Sequence, residues 1–173
     1  MPAPDAIVLK RDRDLQGRDT GLWARRALMG LIAVVPVLAL VNLFGQQPAT
    51  SKASASKATL SINAPTRLRG GLLYQARFNI TAHEEIKDAR LVLGTGWLEG
   101  MTLNTIEPSP IGEASQNGKL ALDLGHVPAD QSYVLFMQFQ VNPTNVGHRS
   151  RSVELYDGQT RLASLHQKVT VYP

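Results

Sequence analysis

The sequence has no cysteine among its 173 residues. This absence excludes a disulfide scaffold, a thiolate zinc site and a cysteine nucleophile. Charged residues make up only 18% and aromatic residues 6%, whereas hydrophobic residues make up 43%. The chain is therefore neither a disordered polyelectrolyte nor a multi-span membrane protein. Its length leaves room for one domain of about 100 to 150 residues plus a tail or an anchor.

One long apolar run dominates the N-terminal part. Residues 27–44 contain no charge, and eleven of these eighteen residues are Leu, Ile, Val or Phe. At 1.5 Å per residue they give a helix of about 27 Å, close to the roughly 30 Å of a bilayer core. Pro36 and Asn42 are tolerated in a single span. We predict a transmembrane helix over residues 27–44 that acts as a signal anchor.

The flanks of this run predict its orientation. Six basic residues precede it within residues 1–26, but only Lys52 and Lys57 occur in the first twenty residues after it. The positive-inside rule therefore predicts a mostly disordered cytoplasmic tail over residues 1–26 and an extracytoplasmic C-terminal part. Trp23, Arg25 and Arg26 fit an anchor at the inner membrane interface.

A cleavable signal peptide is the alternative, because Ala53-Ser54-Ala55 has the small-x-small form of a cleavage site. That site lies about ten residues beyond an apolar run longer than the usual 7 to 15 residues, so we favour an uncleaved anchor. Residues 45–58 are small and polar, without aromatic residues, and they predict a flexible tether.

The net charge of +4 lies outside the C-terminal part. Residues 59–173 contain ten Lys and Arg against ten Asp and Glu, so the tail and the tether carry the excess. A neutral domain gives no support for nucleic-acid binding.

Residues 59–173 alternate between apolar and polar positions, which is typical of half-buried strands. The clearest stripe runs from Leu72 to Ile80, and it predicts Phe78 as a core residue; Leu122 and Phe139 belong to similar alternations. Asn117-Gly118 and Asp157-Gly158 predict two hairpin turns. About eight strands without a helical pattern predict a mainly β protein, in which the N-terminal helix precedes an immunoglobulin-like antiparallel β-sandwich over residues 59–173.

The stretch over residues 119–147 is similar to the immunoglobulin-like repeats of bacterial cell-surface proteins, including the cell-adhesion-related domains found in bacteria. Leu124-Gly125, Val127-Pro128 and the alternating run from Tyr133 to Val141 carry the resemblance, together with the glycine-containing segment over residues 96–101. The resemblance implies a sandwich fold and leaves the ligand open, because Ala129-Asp130 replace the usual glycine of the turn.

Residues with catalytic or ligand-binding chemistry are scattered. The four histidines have no partners at a familiar metal spacing, and Gly94-Thr95-Gly96 is better explained as a turn than as a phosphate cradle. We therefore expect no enzyme activity, metal or cofactor. The most distinctive potential surface consists of Trp97, Met101, Pro108 and Pro110. It is either a partner-binding loop or, for Trp97, a plug at the end of the sandwich.

Two functions follow from these features. The preferred one is a non-catalytic single-pass protein of the cell membrane, whose extracytoplasmic domain interacts with a membrane or envelope protein. The alternative is an envelope module for glycan binding or adhesion. An exposed strip of aromatic and polar side chains would favour glycan, whereas an exposed apolar patch would favour a protein partner.

Overall fold

The computed structural model describes residues 19–41 and 46–173. These residues form two compact units, which divide between residues 44 and 45. The first unit contains one helix, α1 (Asp19–Leu40), with Pro36 inside it. This helix starts eight residues before the predicted span at Ala27, because helix formation requires backbone hydrogen bonds and not apolar side chains. The predicted disordered tail is therefore wrong for residues 19–26, while residues 1–18 and 42–45 lie outside the described residues.

The second unit is a sandwich of two β-sheets, which we call sheet I and sheet II. All strand pairs of sheet I are antiparallel. Sheet I has the spatial order β1 (Pro48–Ser54), β2 (Ala58–Pro65), β4 (Leu73–Ala82), β9 (Ser132–Val141) and β6 (Met101–Glu107).

Sheet II is wider and contains one parallel pair, β3 with β11. The sequence predicted an antiparallel sandwich, and this prediction is wrong for the pair of β3 and β11. Sheet II has the spatial order β3 (Arg67–Arg69), β11 (Thr160–Tyr172), β10 (Gly147–Asp157), β5 (Ile86–Leu93), β8 (Lys119–Val127) and β7 (Gly112–Gln116).

This topology is immunoglobulin-like. The order β2-β4-β9-β6 corresponds to the four strands A, B, E and D of an immunoglobulin sheet, and β11-β10-β5 corresponds to strands G, F and C of the opposite sheet. Strands β8 and β7 extend the second sheet beyond strand C, as the two extra strands of a variable-type domain do. They follow β6 in the chain, whereas the extra strands of a variable domain precede strand D.

The predicted flexible tether over residues 45–58 is wrong for its central part. Strand β1 pairs with β2 along its whole length, from Pro48 opposite Pro65 to Ser54 opposite Thr59. Small side chains are the reason, because Ala49, Ser51 and Ala53 alternate on the half-buried face of an edge strand. The side-chain amide of Gln167 donates a hydrogen bond of 2.8 Å to Ser51 Oγ and so joins β1 to the other sheet.

The core confirms the strand phases predicted from the alternation. Phe78, Leu122 and Phe139 each have 0% exposure. Tyr74 lies opposite Phe139 in the β4–β9 pairing, and their rings stack with centroids 5.2 Å apart. Eleven strands are present within residues 46–173, against about eight predicted. Strands β1, β3, β6 and β7 were not predicted, because they have no strong apolar alternation, and two segments predicted as separate strands, at Leu162 and at Val169, form the single strand β11.

Both predicted hairpins are present. Asn117 and Gly118 have positive φ angles of 53° and 72° and connect β7 to β8. The second turn lies one residue later than predicted, since Asp157 still pairs with Thr160 and the turn is formed by Gly158 and Gln159.

Candidate functional site

Trp97 is not on the surface. It ends a single 3₁₀ turn (Thr95–Trp97) after β5, and its side chain is completely buried. Its indole Nε1 donates a hydrogen bond of 3.2 Å to the carbonyl oxygen of Ser152. Gly96 permits this position, because a Cβ at residue 96 would collide with the backbone carbonyl of Ser150 on β10. Trp97 therefore fills one end of the core, and its prediction as a partner-binding residue is wrong.

The other predicted surface residues divide into two groups, because Met101 lies with Trp97 in the core whereas Pro108 and Pro110 lie in a connection outside it. Met101 is buried with 7% exposure, so its proposed role in partner binding is also wrong. Pro108 is exposed and Pro110 is half-buried in the connection between β6 and β7. The predicted patch of four residues therefore does not form a surface.

Arg151 is a buried cation that was not expected from the sequence. Together with Tyr74, Trp97 and Met101 it forms a buried cluster. Arg151 is 1% exposed, and its guanidinium carbon lies 4.6 Å from the ring of Trp97 and 5.0 Å from the ring of Tyr74. Arg151 Nη2 donates to Tyr74 Oη at 2.9 Å and approaches Met101 Sδ at 3.3 Å. The Nε and Nη1 atoms are buried without a hydrogen-bond partner, and none of these contacts involves a carboxylate. Cation–π contacts thus replace an ion pair.

Burial determines the electrostatics of this cluster. It raises the pKa of Tyr74 to about 12, although the positive charge of Arg151 partly opposes that shift. Burial also lowers the pKa of Arg151, and the neighbouring Tyr74 opposes that shift. An arginine remains protonated in proteins. Because Trp97, Arg151, Tyr74 and Met101 are all buried, the cluster is a structural centre and offers no surface to a ligand.

A concave surface lies on the outer face of sheet II. We call it the trough; its volume is about 370 Å³, and its lining residues come from β5, β7, β8, β10 and the following turn. They are Arg90, Val92, Ala114, Lys119, Ala121, Tyr156, Gly158 and Gln159.

Strand register explains the shape of the trough. Ala114 pairs with Ala121, and Ala121 pairs with Val92, so three small apolar side chains form one row across three strands. Along the strands, Arg90 lies two residues from Val92 on one side of that row, and Lys119 lies two residues from Ala121 on the other side. The row forms an apolar floor with a cation on each side.

Tyr156 forms one wall of the trough. Its hydroxyl donates a hydrogen bond of 2.6 Å to Glu154 Oε2. That hydrogen bond is the main reason why the pKa of Tyr156 is raised, with burial and the negative charge of Glu154 as smaller contributions. The ring is therefore held in place as a neutral phenol beside the apolar floor.

Strand β7 forms the opposite margin and is the last strand of sheet II. Glu113, Ala114 and Ser115 are all exposed, although successive side chains of a strand point to opposite faces. Sheet I therefore does not cover β7, and one edge and both faces of this strand are accessible. The sequence contained a weak signal for the trough, since Ala114 and Ala121 place small residues at outward positions.

A second, shallower surface lies on sheet I. Phe136 is surrounded by Gln75, Gln138, Thr105 and Glu107 in a depression of about 360 Å³. The Arg77 guanidinium carbon lies 5.6 Å from the Phe136 ring centroid. One aromatic ring among amides and a carboxylate is the nearest equivalent of the aromatic–polar strip considered above.

Three of the four histidines have local partners, namely His83, His126 and His148. His126 Nε2 lies 2.9 Å from Glu85 Oε1, and His83 Nε2 lies 2.9 Å from Thr59 Oγ1. Within residues 19–41 and 46–173, no three His, Asp or Glu side chains are grouped so that they would hold a metal ion.

The predicted interface residues Trp23, Arg25 and Arg26 belong to helix α1. Trp23 is 68% exposed, and the Arg26 guanidinium carbon lies 5.6 Å from its ring. Over Thr20–Leu40 this helix is long and apolar enough to cross a membrane; a signal sequence has the same properties.

Comparison with known proteins gives matches among solved structures. No protein-family model and no curated protein sequence matches the chain. Among solved structures, it is similar to the CARDB domain of a Pyrococcus furiosus protein crystallised with di-metal ions, at 12% identity and a TM-score of 0.39, over 73% of this chain and 96% of that one.

A second similar structure is the GH20 exo-β-N-acetylglucosaminidase of Vibrio harveyi in complex with N-acetylglucosamine. It has 12% identity and a TM-score of 0.33, over 73% of this chain. The matched region is only 18% of that enzyme. Neither neighbour assigns a ligand to this chain.

Proposed function

We propose that this protein is a non-catalytic, single-pass membrane protein whose extracytoplasmic sandwich binds an extended segment of a membrane or envelope protein. The observation that carries the proposal is the trough beside the uncovered edge strand β7. In this proposal helix α1 supplies the anchor, and the six basic residues within residues 1–26 favour a cytoplasmic N-terminus.

Strand addition is the binding mode that this geometry favours. An added strand pairs its backbone with an edge strand and places every second side chain on the same face. Beside β7, those side chains would lie against the row formed by Ala114, Ala121 and Val92. Arg90 and Lys119 would then favour acidic side chains at the two ends of the partner segment. A partner segment of small apolar residues flanked by acidic ones fits this surface.

The test is photocrosslinking in native membranes. A photoreactive phenylalanine analogue at the exposed Ala114 should capture a protein partner. The same analogue at Lys168, which is exposed on β11 of the same sheet, is the matched control. Ala121→Arg would fill the trough floor and should reduce capture from position 114. Equal capture from positions 114 and 168, or capture unaffected by Ala121→Arg, would contradict binding in the trough.

The anchor and its orientation have a separate test, which the absence of native cysteine makes simple. A cysteine at Ser54 should react with an impermeant thiol reagent in intact cells, whereas one at Gln16, outside the described residues, should react only after lysis. A mature protein that begins after Ala55 would instead support the cleavable signal peptide.

Glycan binding is the second candidate, and the Phe136 surface is what favours it. Aromatic rings stack on sugars while amides and carboxylates bind hydroxyl groups. Titration with a soluble hexosamine oligomer would distinguish the two functions. Binding that is lost in Phe136→Ala and kept in Ala121→Arg would support the glycan function.

A further inference from the structure

The exposed large apolar side chains of the sandwich are concentrated at one end. Four of the five within residues 46–173 lie there, and Ile111 is the fifth. We call these four the basal patch; Leu72 and Leu73 are 48% and 50% exposed, Val146 is 48% exposed and Tyr172 is 37% exposed. Leu73 lies on the outer face of sheet I and Tyr172 on the outer face of sheet II, so these side chains surround the end of the sandwich. A monomeric domain normally scatters such side chains singly, so their concentration at one end indicates a contact surface.

Backbone hydrogen bonds hold the segments of the basal patch together. Gly70 N donates to Tyr172 O at 2.9 Å, and Val141 N donates to Leu72 O at 3.0 Å. Gly147, directly after Val146, pairs with Val171. The patch therefore belongs to the ordered ends of both sheets and not to an independent loop.

The basal end is also the end at which the sandwich begins. Pro48 of β1 lies opposite Pro65, and the next residue, Thr66, accepts a backbone hydrogen bond of 2.9 Å from Thr170. Only seven residues separate Leu40, the last residue of α1, from Pro48. Fully extended, that connection spans at most about 29 Å. Strand β4 alone, with ten residues, is about 33 Å long, which exceeds the greatest length of this connection.

Charge differs between the two ends. Near the basal patch, residues 66–73, 94–101, 141–149 and 170–173 contain three arginines and one acidic residue: Arg67, Arg69, Arg149 and Glu99. At the opposite end, residues 54–58, 82–88, 127–132 and 156–161 contain five acidic and three basic residues: Glu84, Glu85, Asp88, Asp130, Asp157, Lys57, Lys87 and Arg161. The basal end thus carries an excess of positive charge beside its apolar side chains.

We infer that the basal patch contacts the lipid bilayer, with its leucines, Val146 and Tyr172 in the interfacial layer and Arg67 and Arg69 at the phosphate groups of the lipids. The inference rests on the membrane anchor of the proposed function. Apolar side chains with tyrosine and arginine beside them are the combination that interfacial membrane contacts use. The short connection from the anchor keeps the patch close to the bilayer, so a weak lipid contact is sufficient.

The experiment uses the full chain in vesicles of phosphatidylcholine and phosphatidylglycerol. Single cysteines at three positions carry an environment-sensitive fluorophore, and lipids with a nitroxide on the acyl chain act as the quencher. Val37→Cys reports on the anchor, Thr144→Cys reports on the exposed basal loop, and Gln131→Cys reports on the opposite end. We expect strong quenching at positions 37 and 144 and none at position 131.

Variants in the Thr144→Cys background test the cause of the quenching. The double variant Leu72→Ser, Leu73→Ser should abolish quenching at position 144, whereas Ile111→Ser, an exposed apolar control away from the basal end, should not. Arg69→Gln should lower the ratio of quenched to unquenched label about fivefold. Lys87→Gln at the opposite end should leave it unchanged. Circular dichroism verifies that each variant keeps the β-fold.

The outcomes separate the two proposals. Absence of quenching at position 37 would refute the anchor itself. Quenching at position 37 without quenching at position 144 would overturn the lipid contact alone and leave the patch to a protein partner. Quenching at position 144 that persists in the double serine variant would also overturn the assignment to these leucines.

Discussion

Arg151 provides the sharpest test of the core, because it is a buried cation without an anionic partner in the contacts around it. We predict that Arg151→Met is neutral or stabilises the domain by up to about 3 kcal/mol. Methionine keeps the unbranched stem and its contacts with Trp97 and Tyr74. It removes a charge whose Nε and Nη1 atoms are buried without hydrogen bonds, and replacing buried ionic groups by apolar ones of similar volume is often neutral or stabilising by 1–4 kcal/mol.

The opposing losses have similar size. Each of the two cation–π contacts contributes about 2 kcal/mol in a desolvated site, and the hydrogen bond from the guanidinium to Tyr74 contributes about 1.5 to 3 kcal/mol. Desolvation of a buried ion costs several kcal/mol, which offsets both terms. Arg151→Lys is the matched control. It keeps the charge and loses the planar group that stacks on the rings, so it should destabilise the domain by about 3 kcal/mol or more.

The assay is urea unfolding of a fragment that starts at Gly45, because the unit Gly45–Pro173 contains every core residue. Circular dichroism reports on the sheets, and Trp97, the only tryptophan of that fragment, reports on the cluster. If Arg151→Met destabilised the domain as much as Arg151→Lys, the guanidinium would be a net stabilising group and the argument from its unpartnered atoms would be refuted.

Three further predictions follow from the core and from strand β1. Burial raises the pKa of Tyr74 to about 12, so folding favours the neutral phenol, and stability that is complete below pH 10 should fall as the pH rises, by about 1.4 kcal/mol at pH 11. Tyr74→Phe should remove that loss, and pH-dependent unfolding that is identical in both proteins would contradict the assignment. Phe139→Ala should cost about 3 to 5 kcal/mol, because Phe139 is fully buried between Tyr74 and Trp97, whereas the exposed neighbour Gln140→Ala should change stability by less than about 0.5 kcal/mol in the same urea titration. A fragment that starts at Ser56 lacks the seven cross-strand pairs of β1, at about 0.2 to 1 kcal/mol each, and should melt at a lower temperature than one that starts at Gly45; equal melting temperatures would show that β1 does not contribute.

Alternation predicted the inner and outer faces of the long strands correctly, because a side-chain period of two directly reflects strand geometry. Phe78, Leu122 and Phe139 are examples.

The same alternation contains a signal for the burial of Arg151, which the sequence analysis did not use. Arg151 is in phase with Val153 and Leu155, and all three are buried. A charged residue at an inward position indicates either a buried cation or the end of the core, and the alternation does not distinguish them.

Long-range contacts determine the two features that the sequence did not predict, the burial of Trp97 and the strand β1. Trp97 lies outside any alternating run, and its burial depends on Gly96 approaching the backbone of Ser150, a strand far along the chain. Composition also failed for β1, since small polar residues predict a tether when they are considered alone. Pairing with β2 and the hydrogen bond between Gln167 and Ser51 stabilise that segment as a strand. Neither contact has a local signature.

The two proposed surfaces together limit the geometry of the partner. Strand β7 is short, but like the longer strands of sheet II it runs along the axis that joins the basal end to the opposite end. If the basal patch lies on the bilayer, a segment added beside β7 would run away from the membrane and not along it. The five residues of β7 offer about 17 Å for pairing. An extended segment just outside the span of another membrane protein meets this requirement, because its chain leaves the bilayer in the same direction. Crosslinks from Ala114 should therefore fall within the first residues after the partner's span, and crosslinks confined to a distant folded domain would contradict this combination of surfaces.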